Sequence, residues 1–261
     1  MFRKILAGTD GSDSATLALG HAVDVAERLE AELTVLTAHT DHRSPAVGAT
    51  GPGDEVIAGA LLRDVQAAYG SRVQLRTRAA AGNAADVLID VAEQESHDLV
   101  VVGNRGLPNA STLQPSSVPG RVSRRAPAAV LVVDTMGRRP PGYHRILAGT
   151  DGSPTAEVAE RTAIELAERL GAEIELAAAG SSEAEAARSA DGARTRHPGL
   201  TIHGLTGEPS GVLSNLAESG RYDLLILGNK GMTGFRRALG SVPARVLRRA
   251  PTSVLIVHTT G

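Results

Sequence analysis

Cysteine and tryptophan are absent, and only 2% of the 261 residues are aromatic, three tyrosines and two phenylalanines. Without a thiol the chain has no disulfide framework, no thiol nucleophile and no cysteine metal site. With so few aromatics it lacks base-stacking platforms, and its cores must be built from Ala, Val, Leu and Ile. Neither sign of charge dominates. The 27 Lys and Arg stand against 29 Asp and Glu, a formal net charge of −2, so no general field draws in nucleic acid or an anionic membrane. Long apolar runs are missing too: none approaches the roughly 18 residues of a membrane span. Met1-Phe-Arg-Lys passes directly into a short strand, without the apolar core of a signal peptide. The expectation is a soluble cytoplasmic protein with no nucleic-acid and no membrane partner.

What is present is one module written twice. Lys4-Ile-Leu-Ala-Gly-Thr-Asp-Gly-Ser12 returns as Arg145-Ile-Leu-Ala-Gly-Thr-Asp-Gly-Ser153. The apolar positions Ala15, Ala18, Ala22, Val25, Ala26 and Leu29 reappear as Ala156, Ala159, Ala163, Leu166, Ala167 and Leu170, each displaced by 141. Spacings of three and four put them on one helix face. Late in each half, Asp98-Leu-Val-Val-Val-Gly-Asn-Arg-Gly106 answers to Asp223-Leu-Leu-Ile-Leu-Gly-Asn-Lys-Gly231 at an offset of 125, so sixteen residues are missing from the second copy after its second strand. A long period present only twice means tandem domains and not a solenoid.

Within the first module, short apolar runs alternate with helical patterns. Strands are expected at Ile5 to Ala7, Leu33 to Ala38, Val73 to Thr77, Leu99 to Val102 and Val130 to Val133. Helices are expected at about Ser14 to Leu29, Glu55 to Tyr69, Ala84 to Glu95 and Val118 to Arg125. This order predicts an α/β fold: two tandem Rossmann-like domains, each a five-stranded parallel sheet with helices on both faces. Met136-Gly-Arg-Arg-Pro-Pro-Gly142 reads as the linker, giving domains 1–137 and 142–261, the second shortened after strand two.

Ligands of such sheets sit beyond the carboxyl ends of the strands, where strand order reverses. Both repeated motifs fall there. Asp10 and Asp151 end strand one in a Gly-Thr-Asp-Gly-Ser turn, where a carboxylate can accept from a ribose or adenine, help hold Mg²⁺, or merely cap the next helix. After strand four the second half has Gly228, Gly231, Gly240 and Ser241, with Pro243 in a helical first turn. Glycines permit close approach of backbone to ligand, and free N–H groups at a helix start favour an anion. A Gly-rich turn with an ordinary capped helix is the bland alternative.

The whole pattern resembles the universal stress protein family, whose nucleotide-binding members carry G-x2-G-x9-G-[ST] after strand four. The resemblance spans both halves. It also covers Gly82-Asn-Ala and Gly207-Glu-Pro209 ahead of the third helix, and Ser-Val-Pro with Arg-Arg-Ala-Pro before the last strand. It implies a HUP-type fold, with Asp10, Gly103, Gly106, Ser116 and Ser117 as the first nucleotide site and Asp151, Gly228, Gly231, Gly240 and Ser241 as the second. Both motifs depart from the pattern. Eight residues separate Gly231 from Gly240, and Ser116 stands where the first half needs its third glycine. The long loop His39 to Gly53, by resemblance beside the nucleotide, is what the second half lacks, so the second pocket is expected to be more open. The second half is nonetheless expected to be the better triphosphate site, because convergent N–H donors outweigh a distant loop.

No catalytic machinery is visible: no Ser/His/Asp motif, no carboxylate pair beside either glycine loop, no metal spacing among the eight histidines. The turn at Asp10 also lacks the Ser-Gly-Gly lead of an ATP pyrophosphatase loop, which argues against adenylation. The arginine pairs at 124–125, 138–139, 236–237 and 248–249 read as covers for helix ends and linker. The function implied is binding of an adenine nucleotide, ATP with or without Mg²⁺, by a stress-response sensor or regulator. A slow ATPase or self-phosphorylating protein, and a ligand-free scaffold for a protein partner, stay open as alternatives. The halves are expected to pack through Ala129 to Asp134 and Ser253 to His258 as an intramolecular pseudo-dimer, with a homodimer also open.

Overall fold

The structure is a computed structural model in which residues 1–39, 54–104, 116–229 and 241–259 are described, the Ser241 side chain excepted. The first half runs β1 (Lys4–Gly8), α1 (Asp13–Leu29), β2 (Glu32–His39), α2 (Asp54–Tyr69), β3 (Leu75–Ala81), α3 (Ala84–Gln94), β4 (Leu99–Gly103), α4 (Val118–Arg125) and β5 (Ala129–Val133). The second repeats it with β6 (Arg145–Thr150), α5 (Pro154–Leu170), β7 (Glu173–Gly180), α6 (Glu183–Arg196), β8 (Thr201–Thr206), α7 (Pro209–Ser219), β9 (Leu224–Gly228), α8 (Ser241–Arg249) and β10 (Ser253–Val257).

Local chemistry sets the helix starts. Ser12 and Ser153 hold extended backbone and accept from Ala15 N and Ala156 N, each at 3.2 Å, so they satisfy a donor that the first turn would otherwise leave bare. The turns that deliver them need left-handed backbone, and Gly11 (φ +77°) and Gly152 (φ +73°) supply it without a Cβ clash. The buried stripes of α1 and α5 are the alanine and leucine ladders of the repeat.

Among the described residues, the strands join one ten-stranded sheet in the order β3-β2-β1-β4-β5-β10-β9-β6-β7-β8. Every pairing is parallel except β5 with β10, where Val130, Leu131 and Val132 oppose Ile256, Leu255 and Val254 in antiparallel register. The halves are therefore related by an approximate twofold through Leu131 and Leu255, perpendicular to the sheet, and their strand ends point in opposite directions. One core packs α1, α2, α5 and α6 against one face; the other packs α3, α4, α7 and α8 against the opposite face. The third strand lies later than expected, at Leu75–Ala81 and not Val73 to Thr77, because its partner β2 aligns Leu33 with Leu75 and His39 with Ala81. Among the described residues no helix is long and apolar enough to cross a membrane.

Candidate functional site

Strand order reverses between β1 and β4 in the first half and between β6 and β9 in the second. At the carboxyl end of β1 the chain turns through Thr9 and Asp10: Thr9 Oγ1 accepts from Gly11 N at 3.3 Å and Asp10 Oδ1 from Ser12 N at 3.0 Å. The second half repeats the turn, with Gly152 N donating to Thr150 Oγ1 and Ser153 N to Asp151 Oδ1, both at 3.0 Å. Both aspartates are exposed on the lip of the sheet. Neither is the helix cap that one reading of the sequence allowed, since Ser12 and Ser153 fill that role.

Gly103 and Gly228 end the neighbouring strands. Their glycine character has a packing cause: a Cβ on Gly103 would stand 3.2 Å from the Ser14 carbonyl, and one on Gly228 would stand 3.2 Å from the Thr155 carbonyl. The first turns of α1 and α5 thus lie directly over the ends of β4 and β9. Asn104 and Asn229, next in sequence, are clamps that the sequence reading missed. Asn104 Oδ1 accepts from Thr135 N at 3.1 Å and Thr135 Oγ1 at 2.7 Å, while Asn229 Oδ1 accepts from the same two groups of Thr259, both at 2.9 Å. The recurrence of threonine after both last strands was the available signal.

The motif residues ahead of the third helix of each half prove to be caps. Asn83 accepts from Ala85 N at 3.1 Å, and Glu208 from Gly211 N at 2.8 Å. Each is also tied to the neighbouring helix, by Arg121 at 2.7 Å in α4 and by Arg245 at 3.2 Å in α8. Ser117 caps α4, accepting from Gly120 N at 3.3 Å, and Ser116 precedes it on the surface. Ser241 opens α8. Gly106, Gly231 and Gly240 lie outside the described residues, as do Arg236, Arg237 and the loop 40–53.

In the second half these parts enclose a cleft of about 250 Å³ that runs from Val242 and Pro243 in the first turn of α8, past Gly228 and Asp151, to Ala179 and Glu185. The side expected to be open is walled by α6, whose Ser189 hydroxyl donates to the Asp151 carbonyl at 3.1 Å. Glu185 accepts from Ser181 N at 2.9 Å and Ser181 Oγ at 2.6 Å, and these bonds hold its carboxyl below the usual carboxylate range.

Beneath the Asp151 turn lies a fully buried acid, Glu160. Thr150 Oγ1 donates to it, Arg196 reaches it at 2.9 Å and His197 Nε2 at 2.9 Å. Burial opposes its ionisation, but hydrogen bonds from Arg196, Thr150 and His197 prevail and leave its pKa lowered. The sequence reading did not single out this group, whose counterpart at the offset of 141 is Leu19. Among the described residues, no three His, Asp or Glu side chains form a metal cluster.

Comparison with known proteins agrees with this architecture. The profile of the universal stress protein family matches residues 1–134, 142–191 and 175–258. The chain belongs to the universal stress protein family. The universal stress protein Rv1636 of Mycobacterium tuberculosis is 35% identical over 146 residues, covering 51% of this chain and 97% of that protein. Universal stress protein MJ0531 of Methanocaldococcus jannaschii is 31% identical over 142 residues, 51% of this chain and 82% of its own. Both are similar to about half of the chain, as a duplicated module requires. Solved structures share the tandem fold over nearly full length. The universal stress protein of Archaeoglobus fulgidus superposes with TM-score 0.76 at 19% identity, over 98% of this chain and 96% of its own.

Proposed function

We propose that the switch point of each half binds an adenine nucleotide, ATP with or without Mg²⁺, and that the protein is a cytoplasmic stress-response sensor or regulator that works by binding and not by turnover. The observation that carries this reading is the repetition, at both reversals of strand order, of an exposed carboxylate turn beside a strand-ending glycine. In this reading Asp10 and Asp151 accept from ribose or base, and backbone N–H groups near Gly103, Gly106, Ser116 and Ser117, or Gly228, Gly231, Gly240 and Ser241, face the phosphates. The cleft between α8 and α6 has the matching polarity: helix-start donors at one end and carboxylate acceptors at the other. Family membership supports the same reading. Mg²⁺ would share the phosphates with Asp10 or Asp151, since one carboxylate and several phosphate oxygens commonly suffice. The units that carry the sites are 1–137 and 142–261, and the second is the tighter.

Mass spectrometry of small molecules released on denaturing the purified protein tests the ligand. An adenine nucleotide is expected, and an empty release combined with no ATP titration signal refutes the reading. Gly228 is a poor probe because a side chain there collides with Thr155 first. Gly231→Val is the better variant, expected to weaken ATP binding by the second half more than tenfold, about 1.4 kcal/mol, with circular dichroism unchanged.

A further inference from the structure

The approximate twofold gives most positions a counterpart: about the first strand and helix of each half at an offset of 141, from the third helix through the fourth strand at 125, and in the last helix and strand at 124. It also produces two equivalent grooves flanking the β5–β10 seam. The chain's own linker fills one of them. Arg139 Nη1 donates to the Tyr222 carbonyl at 3.2 Å and to Asp223 Oδ1 at 3.0 Å, and the Arg139 carbonyl meets His21 Nε2 at 3.4 Å. Tyr143 follows, its ring 5.1 Å from that of His21. Tyr222, Thr252, Ser253 and His21 are all buried there.

The counterpart groove, of about 490 Å³, is open. Its lining includes Phe2, Asp98, Ala128 and Thr162 where the filled groove has Tyr143, Asp223, Thr252 and His21. The two aspartates are held alike. Asp98 accepts from Arg3 N at 2.8 Å and Lys4 N at 3.1 Å, and Asp223 from His144 N at 2.9 Å and Arg145 N at 3.0 Å. Only Asp223 carries an arginine; among the described residues no Lys or Arg side chain pairs with Asp98. Glu93 joins Asp98 in the lining, which contains no Lys or Arg, so the groove is an acidic end beside an apolar floor of Phe2, Ala128 and Val257.

We propose that this open groove docks an extended arginine-bearing segment of a partner protein, whose guanidinium sits on Asp98 and the His97 carbonyl as Arg139 sits on Asp223 and the Tyr222 carbonyl. The template is the chain's own linker, and the charge is complementary. Two differences define the occupant further. Thr252 Oγ1 donates to the Tyr222 carbonyl at 2.9 Å, whereas Ala128 leaves the His97 carbonyl to the incoming guanidinium. Pro141 packs against Gly20 in the filled groove, 3.0 Å from where a Cβ would be; Arg161 stands at the matching position, so the partner segment turns away there and does not follow the proline step.

The probe is a synthetic peptide with the sequence of residues 135–140, Thr-Met-Gly-Arg-Arg-Pro, which stops short of the proline step and of the place that Phe2 already fills; it is titrated into the methyl-labelled full chain and followed by NMR. Saturable shifts at Ala128, Ala129 and Val257 are expected, weakened at least tenfold when the peptide's second arginine is glutamine. Thr162→Arg, a partly exposed change on α5 that sets a cation in the groove, is expected to abolish them. Equal binding of the glutamine peptide, no saturable shift, or shifts confined to the resident linker groove would each overturn the proposal. The glutamine peptide acts on the unaltered protein, so the test survives even if Thr162→Arg fails to fold.

Discussion

Leu19 and Glu160 occupy the same position in α1 and α5, and both are buried, at 2% and 0% exposure. In the first half the leucine joins the apolar cluster that includes Leu62 and Val65 of α2. In the second half the helix over the same part of the sheet is α6, which buries only Ala186, Ala190 and Ala193. Three alanines offer little area. The missing anchorage is supplied by a carboxylate that gathers Thr150, Arg196 and His197. The difference teaches that a duplicated module which loses a connection can keep its layer architecture by exchanging apolar for ionic fixation of the covering helix.

Removing one partner of a buried pair is the harshest way to break this comparison. Arg196→Ala should destabilise the second half by about 3–5 kcal/mol, because it strands Glu160 without its main counter-charge. Restoring the first half's solution with Glu160→Leu plus Arg196→Met should recover most of that in urea unfolding; a double variant as weak as the single one would show that the ions do more than fasten α6. Leu19→Ala should cost about 2–5 kcal/mol through a cavity, measured in the same way.

Acid should sharpen the contrast with a smaller effect. The Glu160 carboxyl has a lowered folded pKa, so its contribution is complete above the ordinary carboxylate range and is lost only as pH falls through that depressed value. His21 and His97, both in the first half, have pKa values pushed down by burial. The unfolded chain therefore takes up their protons first, and stability falls once pH drops below about 6.5. Hydrogen exchange between pH 7.5 and 5.5 should loosen α1 and β4 before α5 and β7; the reverse order would contradict the assignment. The smallest difference is expected at the shared caps. Ser12→Ala and Ser153→Ala should each cost about 1 kcal/mol, equally within error of thermal melts.

The repeat made the fold legible, since a motif occurring twice supplies its own control on where strands and helices begin. Strand three was misplaced by local reading. Arg76-Thr-Arg78 followed by three alanines has no strand-like apolar alternation, and only pairing with β2 extends it to Ala81. The placement of Asp10, Asp151 and the strand-ending glycines at the two reversals of strand order was legible because the repeat marks the strand ends. Glu160 was hidden because its partners Arg196 and His197 lie some 36 residues on, at the end of α6, and only the fold brings them beneath the Asp151 turn. Arg139 lies in a segment whose composition marks only a linker, and its anchoring role depends on Tyr222 and Asp223, which the fold alone brings beside it.

The antiparallel β5–β10 seam has a consequence for assembly. An interface that joins two copies of the same edge is self-complementary, and each copy used is a copy withdrawn. By spending both within one polypeptide, the chain leaves no such edge to recruit another molecule. The sheet's remaining borders are β3 and β8. The first carries the exposed Arg76 and the half-buried Arg78, charges that discourage strand addition. The fusion thereby makes the pairing of the two modules' β5 and β10 edges a property of a single chain.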